Sequence, residues 1–124
     1  MPTSSPERRA LAALLLAIAG WWCGSAAAAE LVYVYSPTCG ACKAFERDVG
    51  GIYDKTEEAG RAPLVRVDIE AWPSHPLAAC TGDEVIGTPT FILVDQCREL
   101  DRISGYSSDE LFWLGMQRML NALP

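Results

Sequence analysis

The sequence predicts an α/β domain in which helices flank a central mixed four-stranded sheet, in the order β-α-β followed by β-β-α. Three observations predict it. Several short apolar runs have the length of strands, a Cys-X-X-Cys motif joins the first run to a helical pattern, and a Thr-Pro pair directly precedes a later run. Strands joined by a helix are expected to be parallel, and strands joined by a tight turn antiparallel.

The first 29 residues have the three parts of a secretory signal peptide. Arg8 and Arg9 are followed by an apolar run over residues 10–22, and residues 27–29 offer the small side chains of a cleavage site. The run is shorter than the roughly 20 residues that span a membrane, so cleavage is preferred over a retained anchor. Residues 1–29 are therefore predicted to be a signal peptide, and Cys23 is expected to be removed with it.

Cleavage after Ala29 leaves residues 30–124, enough for one small domain with one core. Without Glu7, Arg8 and Arg9 this part has eight basic and fifteen acidic residues, a net charge of −7. An acidic domain without a basic run is a poor candidate for binding nucleic acid or anionic lipid. Neither is expected as a partner, and no membrane anchor is expected after cleavage.

The first half of this domain has the pattern of strand, helix and strand. Residues 30–35 barely alternate in polarity, which indicates a strand buried on both faces. Residues 41–58 are predicted as a helix, which residues 50–51, both glycine, should weaken. Residues 64–69 alternate and predict the second strand. The helical spacing is carried by Phe45, Val49, Ile52 and Tyr53.

The second half predicts a hairpin and a last helix after a long connection over residues 70–87. Residues 90–94 and 99–104 are predicted as the two strands of the hairpin. The last helix is expected to begin with Ser107 as N-cap and Glu110 completing a capping box. Its predicted apolar face consists of Leu111, Phe112, Leu114, Met116, Met119 and Leu120.

The motif formed by Cys39 and Cys42 lies where the first strand gives way to a helix. A helix N-terminus presents unpaired N–H groups and partial positive charge, both of which favour a thiolate. We therefore predict a redox-active pair, with Cys39 as the exposed nucleophile and Cys42 as the buried resolving thiol. The alternatives are a permanent disulfide or half of a zinc site, for which His75 is the only histidine available.

Thr88 and Pro89 form the second informative pair. A proline directly before a strand cannot donate to the sheet, and a prolyl bond can be cis at small cost. A cis bond would expose the backbone groups of the preceding residue, Thr88, to an extended segment of substrate. Thr88 and Pro89 are therefore predicted to bind substrate beside the cysteines.

Together, the Cys39–Cys42 motif, the Thr88–Pro89 pair and the order of elements resemble the thioredoxin superfamily. Within it, the short domain and the segments at residues 87–91 and 105–120 are most similar to the SoxS-type periplasmic thioredoxins of sulfur-oxidising bacteria. The resemblance implies a periplasmic thiol–disulfide oxidoreductase without a cofactor or metal. It implies a protein disulfide as substrate, on a partner such as the thiosulfate-oxidising carrier complex. It also implies an upstream thiol reductant such as a membrane thiol transporter.

The chain departs from thioredoxins near the motif. Tyr33 stands where they have a buried aspartate, Thr38 where they have tryptophan, and Ala41 where they have proline. Because the residues between the cysteines tune the reduction potential, the direction of electron flow stays open. A disulfide oxidant or isomerase with the same site is one alternative. A non-catalytic metallochaperone or adaptor is another, for which His75 would have to lie at metal-binding distance.

Cys80 and Cys97 complete an even set of four cysteines, which fits an oxidising compartment but permits three pairings. The third strand is expected to run away from the Cys39–Cys42 motif, which places Cys97 at the far end of the sheet. The connection before that strand is long enough to bring Cys80 there. A structural disulfide between them is the preferred interpretation, and a second redox couple is the alternative.

Overall fold

The structure, a computed structural model, describes residues 29–124, so the predicted signal peptide lies outside the described residues except for Ala29. Its four strands form one sheet in the order β2-β1-β3-β4. β1 pairs with β2 in parallel and with β3 antiparallel, and β3 pairs with β4 antiparallel, so the predicted mixed sheet is confirmed. The strands are β1 (Glu30–Tyr35), β2 (Leu64–Asp68), β3 (Thr90–Asp95) and β4 (Arg98–Ser104).

β1 is buried on both faces, as its unbroken apolar run predicts. Leu31 and Tyr33 pack into a core formed with the helices on one side of the sheet. Val32 and Val34 pack on the opposite side, beneath the connection between β2 and β3. Because successive side chains of a strand point to opposite faces, this one central strand contributes to both cores.

The predicted helix over residues 41–58 is wrong beyond its first turns. The chain forms α1 (Gly40–Phe45), continues as a π-helical turn (Glu46–Gly50), and turns away at Gly51. A 3₁₀ turn (Tyr53–Lys55) and a new short helix, α2 (Glu57–Arg61), follow. Two consecutive glycines weaken a helix enough for this break, and Ile52, one of the residues of the predicted helical spacing, is 51% exposed as a result.

The last helix, α3 (Asp109–Asn121), begins one residue later than predicted. Ser108, not Ser107, is the N-cap, and its hydroxyl accepts a hydrogen bond from the Leu111 amide at 3.3 Å. The predicted capping box therefore does not form. The predicted apolar face is also too broad, because Leu111 and Leu114 are both 61% exposed. The buried stripe consists of Phe112, Met116, Met119 and Leu120.

The second face of the sheet is covered by the connection between β2 and β3, which contains only two 3₁₀ turns (Trp72–Ser74 and Pro76–Cys80). Trp72 is buried there against the apolar side chains of the sheet, and Cys80 packs at the margin. Both longer helical segments, α1 and α3, pack on the other face. Within residues 29–124, no helix is both long and apolar enough to cross a membrane.

Candidate redox site

Cys39 occupies the N-cap of α1, four residues after β1 ends. Its Sγ accepts a hydrogen bond from the Cys42 amide at 3.1 Å, and its own amide donates to the Ser36 carbonyl. The side chain is half-buried, so its sulfur remains within reach of a partner. An amide donor and the start of a helix both stabilise negative charge on this sulfur when the cysteine is reduced.

Cys42 lies one turn further along and is 3% exposed. The two cysteines are joined as a disulfide, with their Cα atoms 5.2 Å apart. The Tyr33 hydroxyl donates to the Cys42 carbonyl at 3.3 Å. Burial and, to a lesser degree, the nearby Glu46 hold the pKa of Tyr33 well above its usual range, so this phenol stays protonated. The pair therefore combines an accessible sulfur with a buried one.

Thr88 and Pro89 lie at the same end of the sheet as the two cysteines. β1 and β3 are antiparallel with Val34 opposite Thr90, so Pro89 stands opposite the end of β1 that leads to Cys39. The Thr88–Pro89 peptide bond is cis, and the Pro89 carbonyl accepts a hydrogen bond from the Gly105 amide at 2.8 Å. The structure thus brings the Cys39–Cys42 pair and the Thr88–Pro89 pair to the same end of the sheet.

Next to Pro89 is an open groove of about 270 Å³, the Pro89 groove, lined by Ile86, Thr88, Pro89, Arg102 and Gly105 among others. Ile86 is 92% exposed. Ile86 is not among the residues predicted from the sequence, although an apolar residue directly before a Gly-Thr-Pro turn is a usable signal. An isoleucine this exposed, in the same groove as Thr88 and Pro89, is an apolar surface at the end of the sheet that carries the cysteine motif.

Arg102 holds the loop that carries Ile86 and Thr88. Its guanidinium donates to the carbonyls of Asp83 and Glu84 at 2.9 and 3.2 Å and to the carboxylate of Glu99 at 2.7 and 3.0 Å. Glu99 in turn accepts the Gly82 amide at 3.1 Å. Arg102 and Glu99 are less than one fifth exposed, so water competes little for these bonds.

The Arg102→Met variant is expected to loosen this loop. We expect the free energy of unfolding to fall by about 2 kcal/mol, because charged hydrogen bonds are lost from partly buried groups. The KM for insulin, a protein disulfide, should rise severalfold. The reaction with 5,5′-dithiobis(2-nitrobenzoate), a small disulfide, should change little, because Cys39 itself is untouched.

Arg118→Met is the matched control. Arg118 lies on α3 and pairs with Asp101 on β4, the strand that also carries Arg102, but the Arg118 side chain is 60% exposed. An exposed pair contributes little, so both assays should remain near the unmodified values. Equal KM values for insulin in the Arg102 and Arg118 variants would contradict a positioning role for Arg102.

A second groove of about 290 Å³, the Cys42 groove, opens behind the motif. It is lined by Tyr33, Cys42, Lys43, Glu46 and Arg66 among others. Arg66 on β2 donates to both carboxylate oxygens of Glu46, at 2.8 and 3.1 Å. No local pattern in the sequence connects Glu46 with Arg66, because the two are 20 residues apart.

Cys80 and Cys97 form a disulfide with their Cα atoms 4.6 Å apart. Cys97 is in the turn after β3, where Gln96 and Cys97 have φ values of 50° and 56°. β3 starts at Thr90, near the motif, and ends at Asp95, so at about 3.3 Å per residue its ends are roughly 17 Å apart. The two disulfides therefore lie at opposite ends of the sheet.

His75 is tied into the connection on the second face. Its Nδ1 accepts the Leu77 amide at 3.1 Å, and its ring stacks on Trp72 with centroids 5.8 Å apart. Met116 and Met119 are fully buried in the core with the helices. Among the described residues, no group of three or more histidine, cysteine, aspartate or glutamate side chains could hold a metal ion.

A family model described as Thioredoxin matches residues 25–114. The chain belongs to the thioredoxin family. The Cys39–Cys42 pair identifies this thioredoxin-family protein as a thiol–disulfide oxidoreductase, and the predicted fold is confirmed. A search of curated proteins found no match to the sequence.

Solved structures of thioredoxins are similar to this chain. The periplasmic thioredoxin SoxS of Paracoccus pantotrophus, in its reduced form, is 26% identical, with 76% of this chain and 97% of that chain covered and a TM-score of 0.67. The thioredoxin of Aeropyrum pernix is 19% identical, with 74% and 75% covered and a TM-score of 0.54. Thioredoxin 1 of Thermosipho africanus is 21% identical, with 74% and 94% covered and a TM-score of 0.50. The last two likenesses concern the fold alone.

Proposed function

We propose that this thioredoxin-family protein is a periplasmic reductant that reduces a disulfide or mixed disulfide on a partner protein. Cys39 is the nucleophile, Cys42 is the resolving cysteine, and Thr88 and Pro89 bind the partner segment. The partner that the sequence resemblance suggests is a thiosulfate-oxidising carrier complex. The reduced form would be restored by an upstream thiol reductant, such as a membrane thiol transporter, because the compartment is oxidising.

The reaction has two exchange steps. The Cys39 thiolate attacks a sulfur of the partner disulfide, forming a mixed disulfide and releasing one partner thiolate. The Cys42 thiolate then attacks Cys39 Sγ, which forms the Cys39–Cys42 bond and releases the second partner sulfur as a thiolate. Two electrons pass to the partner, whose two thiolates take up the protons that the cysteines lose.

The order of the two exchange steps rests on the difference in burial between Cys39 and Cys42. Cys39 is half-buried and its Sγ accepts an amide at a helix start, whereas Cys42 is 3% exposed. A buried thiol cannot meet a protein disulfide first, but it can reach a neighbouring sulfur three residues away. The periplasmic location is supported by the leader pattern of residues 1–29 and by the likeness to a periplasmic thioredoxin.

Trapping tests the proposed function. A Cys42→Ser variant, expressed in sulfur-oxidising cells, should accumulate a mixed disulfide between Cys39 and its partner, because the second exchange step is blocked. The adduct should appear on non-reducing gels, disappear on reduction, and be absent from a matched Cys39→Ser/Cys42→Ser control. An adduct with the carrier complex supports the partner assignment. Absence of any adduct to Cys39 in these cells contradicts it.

The reduction potential tests the direction of electron flow. A reductant should have a potential near that of thioredoxins, about −270 mV, whereas a value near the about −120 mV of strong oxidants contradicts the proposal. Equilibration with glutathione buffers, followed by alkylation and intact mass, measures the potential of Cys39–Cys42 separately from that of the second disulfide.

For Cys80–Cys97 we propose a structural role. The disulfide ties the connection that covers the second face of the sheet to the turn between β3 and β4. Cys80 packs at the margin of the apolar cluster on that face. The length of β3, which separates this disulfide from Cys39–Cys42, also favours a structural role over electron relay between the two pairs.

A further inference from the structure

We propose that Glu46 accepts the proton of the Cys42 thiol, across the Cys42 groove, when Cys42 resolves the mixed disulfide. The proposal rests on thiol–disulfide exchange at Cys39 and Cys42 and does not depend on which partner is reduced. Only a thiolate attacks a disulfide efficiently, and burial in apolar surroundings keeps a thiol protonated. Cys42 is almost fully buried, so its deprotonation requires a base close by.

Glu46 is placed to be that base by its position on the helix. It follows Cys42 by four residues in one continuous helical run, and the Glu46 amide donates to the Cys42 carbonyl. Residues four apart lie on the same helix face. Both side chains therefore line the same groove, which is large enough to hold water between a thiol and a carboxylate.

The other polar groups that line this groove cannot take the proton at neutral pH. Tyr33 already donates its hydroxyl proton to the Cys42 carbonyl, and its raised pKa excludes a phenolate. Lys43 and Arg66 are cations, and Tyr35 and Ser36 offer only hydroxyl groups, which are not bases in this range. Glu46 is the one carboxylate among the lining residues.

Arg66 and Gly50 determine where the carboxylate of Glu46 is held. Arg66 binds both of its oxygens and donates to the Gly50 carbonyl at 3.2 Å. A Cβ atom at Gly50 would collide with Glu46 Oε2, so the glycine leaves room for the carboxylate. The Glu46 side chain is 41% exposed, so a proton received from the groove can pass to solvent.

The charged and titratable groups around this carboxylate come from four elements. Arg66 lies on β2, Lys43 on α1, and Tyr33, which is neutral, on β1. Asp54 acts on Arg66 from the next turn of the chain. Ionised Glu46 is the form that can accept a proton.

The proton of the Cys42 S–H bond moves to Glu46, directly or through one water. The resulting thiolate attacks Cys39 Sγ, the Cys39–Cys42 bond forms, and the bond between Cys39 and the partner sulfur breaks. The partner sulfur leaves with the electron pair as a thiolate. The dithiol is oxidised and the partner is reduced, while Glu46 returns its proton to the leaving thiolate or to water.

Stopped-flow reaction of the reduced protein with 5,5′-dithiobis(2-nitrobenzoate) separates the two steps. The first release of thionitrobenzoate reports attack by Cys39, and the second reports resolution by Cys42. In Glu46→Gln we expect the first phase to be unchanged. The second should slow by about 10²-fold at pH 7, the lower end of what general acid–base catalysis contributes, and its rate should rise with hydroxide concentration. Glu46→Asp should recover part of this rate.

Arg66→Met is the matched comparison, because it breaks the same ion pair and removes the group that positions the carboxylate, but leaves the carboxylate itself on α1. The Glu46→Gln and Arg66→Met variants should lose similar, small amounts of stability, since the pair is two-fifths exposed. The second phase should slow much less in Arg66→Met than in Glu46→Gln. An unchanged pH profile in Glu46→Gln, or equal slowing of the second phase in both variants, would overturn the proposal. Neither result bears on the first phase or on partner trapping, which test the proposed function.

Discussion

Replacing Cys39 with serine is expected to reduce insulin reduction to the uncatalysed rate, because the remaining thiol at Cys42 is too buried to meet a protein disulfide. Serine is also a preferred N-cap residue, so α1 should form normally and the loss will be chemical. Insulin turbidity measures the activity, and far-UV circular dichroism with thermal unfolding establishes that the variant is folded.

Cys42→Ser provides the contrast. Its Cys39 should still react with 5,5′-dithiobis(2-nitrobenzoate) and release one equivalent of thionitrobenzoate, but the second equivalent should not appear. Catalytic turnover should be lost in both single variants, for different reasons. If Cys39→Ser released thionitrobenzoate as fast as Cys42→Ser, the assignment of nucleophile and resolving cysteine would have to be reversed.

Removing the second disulfide, by Cys80→Ala together with Cys97→Ala, is expected to lower the free energy of unfolding by about 3 kcal/mol. The two cysteines are 17 residues apart, and opening a loop of this size returns that much chain entropy to the unfolded state. In a domain this small, Tm should fall by more than about 10 °C. Denaturant titration and calorimetry measure both quantities.

The same double variant distinguishes a structural disulfide from a redox couple. For a structural disulfide, the rate at which Cys39 reacts with 5,5′-dithiobis(2-nitrobenzoate) and the potential of the Cys39–Cys42 pair should be unchanged at temperatures where the variant is folded. Mild reduction followed by alkylation should open Cys39–Cys42 first in the unmodified protein. Equal lability of the two pairs, or loss of activity without loss of stability, would contradict the structural role.

The features that could be predicted from the sequence are those with local causes. The two-faced burial of β1 follows from its unbroken apolar run, and the start of α1 at the cysteine motif follows from the change of hydrophobic period there. The parallel and antiparallel pairings follow from a helical connection and a tight turn, respectively. Each of these depends on residues within one segment or on the length of one connection.

The expectations that the structure corrects have one physical origin. The local apolar pattern favours one set of buried residues, and the packing of the neighbouring elements allows only part of that set. Ile52 belongs to the helical spacing, but the break at Gly51 turns the chain and leaves Ile52 at the surface. Leu111 and Leu114 are apolar and lie on α3, yet the sheet has room for only one stripe of that helix. Apolar spacing identifies possible core positions, whereas the neighbouring elements decide which of them are covered.

By itself, the sequence determined the chemistry of this protein: two cysteines at a helix start, a proline before a strand, and the order of strands and helices. Only the tertiary structure placed Arg66 against Glu46, and Arg102 against the loop before Pro89, across 20 and about 18 residues of chain. Such pairs are decided by strand register and by the path of the connections. Those properties depend on the packing of the whole domain, so no single segment carries a signal for them.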